Sequence, residues 1–228
     1  MIAPVNDIAS FCASAVMLAG YHLYLRYKQR SNPHYTIQAV NRAARAAWVR
    51  SIMADESRGI LGVQTLRNST MAATFLASTA VLLIIGTLTL SEQTDKLVNT
   101  WHSLNVLGSL HPGLWTAKLM FLLSNLFIAF FSFAMSVRLY NHAGYQLNVP
   151  LAERPPAINP HSVAVHVNRA GSYYSIGMRA YYFAVPLVFW LFGPHFMLAA
   201  TVVLIAVLYH IDRTPRDPDT GLAPSEDH

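Results

Sequence analysis

Cysteine is nearly absent. The 228 residues contain one, Cys12, which excludes an intramolecular disulfide and any paired-cysteine metal or redox site. Charge is scarce as well: Asp, Glu, Lys and Arg make up 12% of the chain, against about 25% in an ordinary soluble domain. With 54% apolar residues and a mean hydropathy of +0.33, this composition does not describe a soluble globular domain. No Lys or Arg precedes Arg26, so the first apolar run lacks the basic region of a secretory signal and is read as part of the mature chain. Catalytic patterns are missing too. There is no HExxH, phosphate-binding glycine loop, ordered Ser-His-Asp set or close carboxylate pair, and Asp55-Glu56 beside Arg58 reads as a solvated turn. No catalytic residue is assigned, and the chain reads as non-enzymatic.

The few charges are clumped. Between Asp7 and Arg26, Arg67 and Glu92, Lys118 and Arg138, and Arg179 and Asp212 the chain carries none. A helix crosses a hydrocarbon core of about 30 Å with about 20 residues, so each gap is long enough to be a span. The spacing predicts spans over about 8–25, 69–90, 117–138 and 180–211. Tyr21, His22 and Tyr24 suit an interface at the end of the first, while Pro186 and Pro194 predict a kink in the long fourth. The fold class is all-α: an integral membrane four-helix bundle over 1–212, followed by a Pro- and Asp-rich tail, 213–228, read as disordered.

Twelve of the 16 basic residues lie in the two connectors that follow the odd-numbered spans. By the positive-inside rule these connectors are cytoplasmic, which places both termini outside, in the inner membrane of a bacterium. The net charge of +5 then reflects topology and lipid phosphate and calls for no nucleic-acid partner.

An internal repeat organises the rest. NPHYTIQAVNRA (32–43) and NPHSVAVHVNRA (159–170) share seven identities in twelve positions. The chain thus divides into two parallel two-span units, about 8–90 and 115–211, related by a pseudo-two-fold axis along the membrane normal. Asn followed by Pro is the N-cap and first-turn pair of a helix, so each copy is expected to open an amphipathic helix on the cytoplasmic face. In the first copy His34, Gln38, Asn41, Arg45 and Trp48 fall on one stripe, with Ile37, Val40, Ala44 and Ala47 as an apolar face directed at lipid.

The strings NPHYTIQAVNRAARAAWV (Asn32 to Val49), VQTLRNSTMAATFLASTA (Val63 to Ala80) and RAYYFAVPLVFWLFGP (Arg179 to Pro194) resemble a family of bacterial and plant multi-pass membrane proteins, domain of unknown function 599. The resemblance runs from about residue 8 to 212. It implies a four-helix integral membrane protein and supplies no functional residue.

Three constellations remain as candidates. The first is a lipid- or anion-binding set: the duplicated Asn41-Arg42 and Asn168-Arg169, with Arg45, Arg67 and Arg179. Arginine forks match phosphate, and around a pseudo-two-fold axis these side chains would clamp an anionic headgroup. The second is a polar cavity lined by Asn68, Thr74 and Ser78 of span two, Asn125 of span three and His195, which would serve a small-solute transporter or channel. Against it stands close packing of that small-residue face on Ala9, Ser10, Ala13 and Ser14 of span one. The third, a bis-histidine haem through His22 and His142, is not favoured over plain interfacial histidines, and His161 with His166 are splayed too far round a helix to pair on a metal. The expectation is therefore a non-enzymatic inner-membrane protein with no cofactor or metal. It binds anionic lipid or acts as a subunit or assembly partner, and it associates with itself or with a larger membrane complex.

Overall fold

The computed structural model describes residues 2–31, 35–92 and 112–213. The Asn32-Pro33-His34 stretch and the expected disordered tail beyond Arg213 lie outside the described residues. Within them the chain is helical: α1 (Ile2–Ser31), α2 (Ile37–Ala54), α3 (Gly59–Glu92), α4 (Pro112–Leu147), α5 (Pro160–Phe192) and α6 (Pro194–Ile211). Short 3-10 turns stand at Glu56–Arg58 and Leu151–Glu153. Five helices, all but α2, are long and apolar enough to cross a membrane.

Five rather than four is the main correction to the sequence reading. The apolar run 180–211 is not one tilted span, because the chain reverses at Gly193, whose φ of 149° and ψ of 161° lie in a region open to glycine alone. Pro194 then opens α6, where its missing N–H is harmless, while Pro186 stays inside α5 without breaking it. A run free of charge is silent about a tight turn between two membrane helices. Gly193→Ala is expected to cost about 1–3 kcal/mol in thermal melts of the purified protein, because alanine cannot hold this backbone.

Cross-helix contacts fix the directions. Gly62 lies against Leu147, Ser136 donates to the Ala170 carbonyl, and Asn125 donates to that of Ala180, so α4 runs antiparallel to both α3 and α5. Thr201 donates to Ser14 and Leu208 packs with Tyr21 and Leu25, so α6 runs parallel to α1. One end of the bundle therefore holds the end of α1, all of α2, the end of α4 and the start of α5. It carries the two basic connectors and is termed the basic end. The extra crossing brings α6 back to it, and an isolated bridge pairs Thr36 with Arg213. Residues 2 and 213 thus lie at opposite ends of the bundle, whereas the sequence reading put both termini on one face.

The repeat is only partly expressed. The second copy behaves as expected: Asn159 caps α5, accepting from the Ser162 N–H in a reciprocal capping box, with Pro160 in the first turn. The first copy differs, since α2 starts at Ile37 with Thr36 as its N-cap, and Thr36 is buried and accepts from Gln29. α4 and α5 pack along their length, whereas α1 and α3 lack such a contact; α1 lies instead against α6. The two units therefore are not two copies of one hairpin, and α6 has no counterpart in the first.

α2 is amphipathic as expected but does not float on lipid. At about 1.5 Å per residue, α4 with its 36 residues is about 54 Å long and projects beyond a hydrocarbon core of about 30 Å. The overhanging turns of α3, α4 and α5 offer α2 a protein surface. Val49, Ile52 and Met53 are buried there with Leu66, Tyr140, Leu147, Val163 and Val167, while the expected lipid-facing Ala44 and Ala47 are exposed.

Candidate functional site

Docking the apolar side of α2 turns its polar stripe along α5. Gln38, Asn41, Arg42 and Arg45 sit three and four residues apart and face Gly171, Ser172, Ser175 and Arg179 across a cleft of about 250 Å³. Arg45 is fixed in place: its Nε donates to Asn168 Oδ1 at 2.9 Å, and its guanidinium lies on Gly171, where a Cβ would stand 2.7 Å from Cζ. Glycine is needed here for that close approach. Burial holds the Arg45 guanidinium below its ordinary pKa, with Tyr140 pulling the other way and the like charge of Arg42 adding to the depression. Arg42 is exposed and has no hydrogen-bond or ion-pair partner among the described residues.

Arg179 closes the cleft on the side of α1 and α6. Its guanidinium donates to both Asp212 carboxylate oxygens, each at 3.1 Å, and to His22 Nε2 at 2.8 Å. Because Nε2 accepts, the His22 proton sits on Nδ1 and is donated to the Leu18 carbonyl at 2.8 Å. Asp212 is a hub, accepting from the Tyr21 hydroxyl at 2.9 Å and from Gln38 Nε2 at 2.7 Å, while its main-chain carbonyl accepts from Ile37 N. Three guanidiniums thus meet at the cleft with one carboxylate among them. The arrangement leaves an excess of fixed positive charge at the cleft.

The predicted binding residues are divided by this geometry. Asn41, Arg42, Arg45 and Arg179 line the cleft, and Asn168 positions Arg45. Arg169, one residue further round α5, points away and lies over the Tyr173 ring. Arg67 belongs to a separate groove between α3 and α4. The expected clamp around a two-fold axis is therefore replaced by a one-sided cleft, because α2 crosses α5 without a symmetric partner.

The proposed polar cavity does not assemble. Asn68, Thr74 and Ser78 are exposed on the outer face of α3, Asn125 donates to the Ala180 carbonyl at 2.7 Å, and His195 stands beside Phe196 at the far turn. The hydroxyls of α3 satisfy themselves. Thr65, Ser69, Thr74, Thr79, Thr87 and Thr89 each donate to the carbonyl four residues earlier, which lets a polar helix face meet hydrocarbon. Packing of this face on span one is also absent, since Ser14 meets Thr201 of α6 instead. Both ring nitrogens of His22 are engaged, with the Leu18 carbonyl and Arg179, and His142 is exposed on α4. Among the described residues no group of three or more His, Cys, Asp or Glu is placed to hold a metal ion.

At the far end lies a feature the sequence reading missed. Asp7 and Lys118, read from the sequence only as charges that bound the apolar runs, form an ion pair of 2.7 Å with side chains 0% and 2% exposed. Trp190 joins them, its indole N–H donating to Asp7 Oδ1 at 3.0 Å and its carbonyl accepting from Lys118 at 3.1 Å. The available signal was that two opposite charges each stand at the same end of an apolar run.

Neither a curated protein nor a solved structure matches the chain. The family described as "Protein of unknown function, DUF599" matches residues 9–216, a stretch that takes in α2, the cleft and all but the start of the five long helices. With nearly the whole bundle inside that match, the chain belongs to this family of unknown function.

Proposed function

We propose that this multi-pass membrane protein has a non-enzymatic role in which the α2–α5 cleft binds a phosphate group, presented by an anionic lipid headgroup or by a soluble phosphate. The observation that carries the reading is the convergence of Arg42, Arg45 and Arg179 on one polar cleft with a single carboxylate in attendance. Guanidinium forks match phosphate oxygens bidentately, and partial burial spares such contacts from full screening. By the positive-inside rule the basic end faces the cytoplasm, so the cleft would stand at or below the inner headgroup layer.

Thermal stabilisation of the purified full chain tests this with two probes, vesicles containing phosphatidylglycerol and inorganic phosphate alone. Either probe is expected to raise the melting temperature, and the two together distinguish a membrane ligand from a soluble one. Arg42→Ala with Arg45→Ala should weaken binding by roughly a hundredfold, at about 1.5–3 kcal/mol per charged hydrogen bond. Asn168→Ala, which frees Arg45, should weaken it by roughly fivefold, a loss of about 1 kcal/mol, and Arg169→Ala should leave it unchanged. Stabilisation by inorganic phosphate that survives the double substitution, or stabilisation by the vesicles that the double substitution does not reduce at all, would overturn the assignment.

A further inference from the structure

A second cavity lies between α3 and α4 at the basic end and has a different chemistry. It holds about 450 Å³, within the usual range for small-ligand sites. Val63, Leu66 and Met71 of α3 and Tyr140 and Gly144 of α4 give it apolar walls, with Arg67 and Asn141 at its edge. Arg67 is exposed, has no partner among the described residues, and no acidic side chain lines the groove. We propose that this groove is a specific site for one anionic phospholipid, with the phosphate on Arg67 and an acyl chain laid along the α3–α4 walls.

Depth supports this occupant. Arg67 is the last charge before residues 68–91, an uncharged stretch of about 36 Å as helix, so it stands where a bilayer carries its phosphates. Thr70 and Met71, one turn further, already lie on the hydrocarbon side, and Met71 of the groove and Phe75 one turn beyond it on α3 are both exposed. A ligand here must be apolar along most of its length and anionic at one end. The arginine cleft has no such apolar wall, so the two sites stand or fall separately. A zwitterionic headgroup would bring its cation to Arg67 with no carboxylate to receive it.

Native mass spectrometry of the full chain from mild detergent, offered phosphatidylglycerol and phosphatidylcholine with identical acyl chains, reads the proposal. One phosphatidylglycerol is expected to be retained per chain, with roughly tenfold preference, the order of one charge-assisted contact. Arg67→Ala, which removes a side chain bonded to none of the described residues, should lower this preference and should abolish it when combined with Arg42→Ala and Arg45→Ala, whereas those two substitutions without Arg67→Ala should leave it in place. Gly144→Leu tests the walls independently. A Cβ at Gly144 meets only Leu66 Cδ1, at 3.9 Å, so the helix accepts it and the longer side chain fills the groove. Retention of both lipids should then fall while the melting temperature holds. Equal retention of the two lipids by the native chain, an unaltered preference in Arg67→Ala, or full retention by a folded Gly144→Leu would each overturn the proposal.

Discussion

Replacing Lys118 with methionine is expected to destabilise the bundle by about 3–5 kcal/mol, read as a drop in melting temperature of the detergent-solubilised protein. The loss comes from what remains behind. Asp7 is fully buried, and its carboxylate would lose the ammonium 2.7 Å away while the indole of Trp190 stayed in place. Lys118 also donates to the Trp190 carbonyl, which accepts from the Gly193 N–H at 3.2 Å and lacks the usual donor four residues on because Pro194 has no N–H. The ammonium lies 5.3 Å from the centre of the Trp190 ring, and Phe11 stacks on that ring from α1. One side chain from α4 thus fastens α1 to the end of α5. The double variant Asp7→Leu with Lys118→Met should recover most of the loss, because removing both charges ends the desolvation penalty. If Lys118→Met melts within about 1 kcal/mol of the native chain, the pair is not holding the far end.

Asp212→Ala is expected to cost about 3 kcal/mol and to loosen the join between α1 and α2. This carboxylate, 3% exposed, receives Tyr21, Gln38 and the Arg179 fork, so its removal unpairs groups on three helices. Hydrogen exchange should report the effect first at Ile37, whose N–H is held by the Asp212 carbonyl, and along the first turn of α2. Asp212→Asn should cost less, since an amide keeps an acceptor for Tyr21 or Gln38. Its effect on the cleft has the opposite sign. With the only carboxylate gone, Arg179 is free to turn toward a bound phosphate, and anion affinity should rise by roughly tenfold even as stability falls. A fall in both would place Asp212 in support of the cleft rather than in competition with its ligand.

What could be read from the sequence follows from which forces act locally. Charge gaps measure length against hydrocarbon thickness, so α1, α3 and α4 were legible, and Asn159-Pro160 announced the start of α5 through its own capping chemistry. The Gly193 reversal was hidden because a turn between two apolar helices changes no charge and little hydropathy. Periodicity put Gln38, Asn41 and Arg45 on one stripe of α2, which the cleft confirms as a shared face. Which neighbour that stripe would meet depends on the crossing of α2 over α5, and no local signal encodes it. For the same reason Arg179 joined Arg42 and Arg45 while Arg67 and Arg169 did not. The polar residues of α3 misled because composition counts hydroxyls and cannot reveal that six of them, Thr74 included, are spent on their own helix.

The placement of α1 beside α6 has a consequence for assembly. Its described polar contacts beyond α2 reach partners far along the chain: Lys118 on α4, Arg179 and Trp190 on α5, Thr201 on α6 and Asp212 just after it. None of these has left the ribosome when α1 enters the membrane. α1 must therefore wait in lipid with Asp7, Ser14 and Tyr21 uncommitted, so the N-terminal helix becomes the last to lock. Truncation before α6 should leave a chain that inserts but stays open to proteolysis at α1, whereas α3, α4 and α5, which pack on chain neighbours, should already be closed.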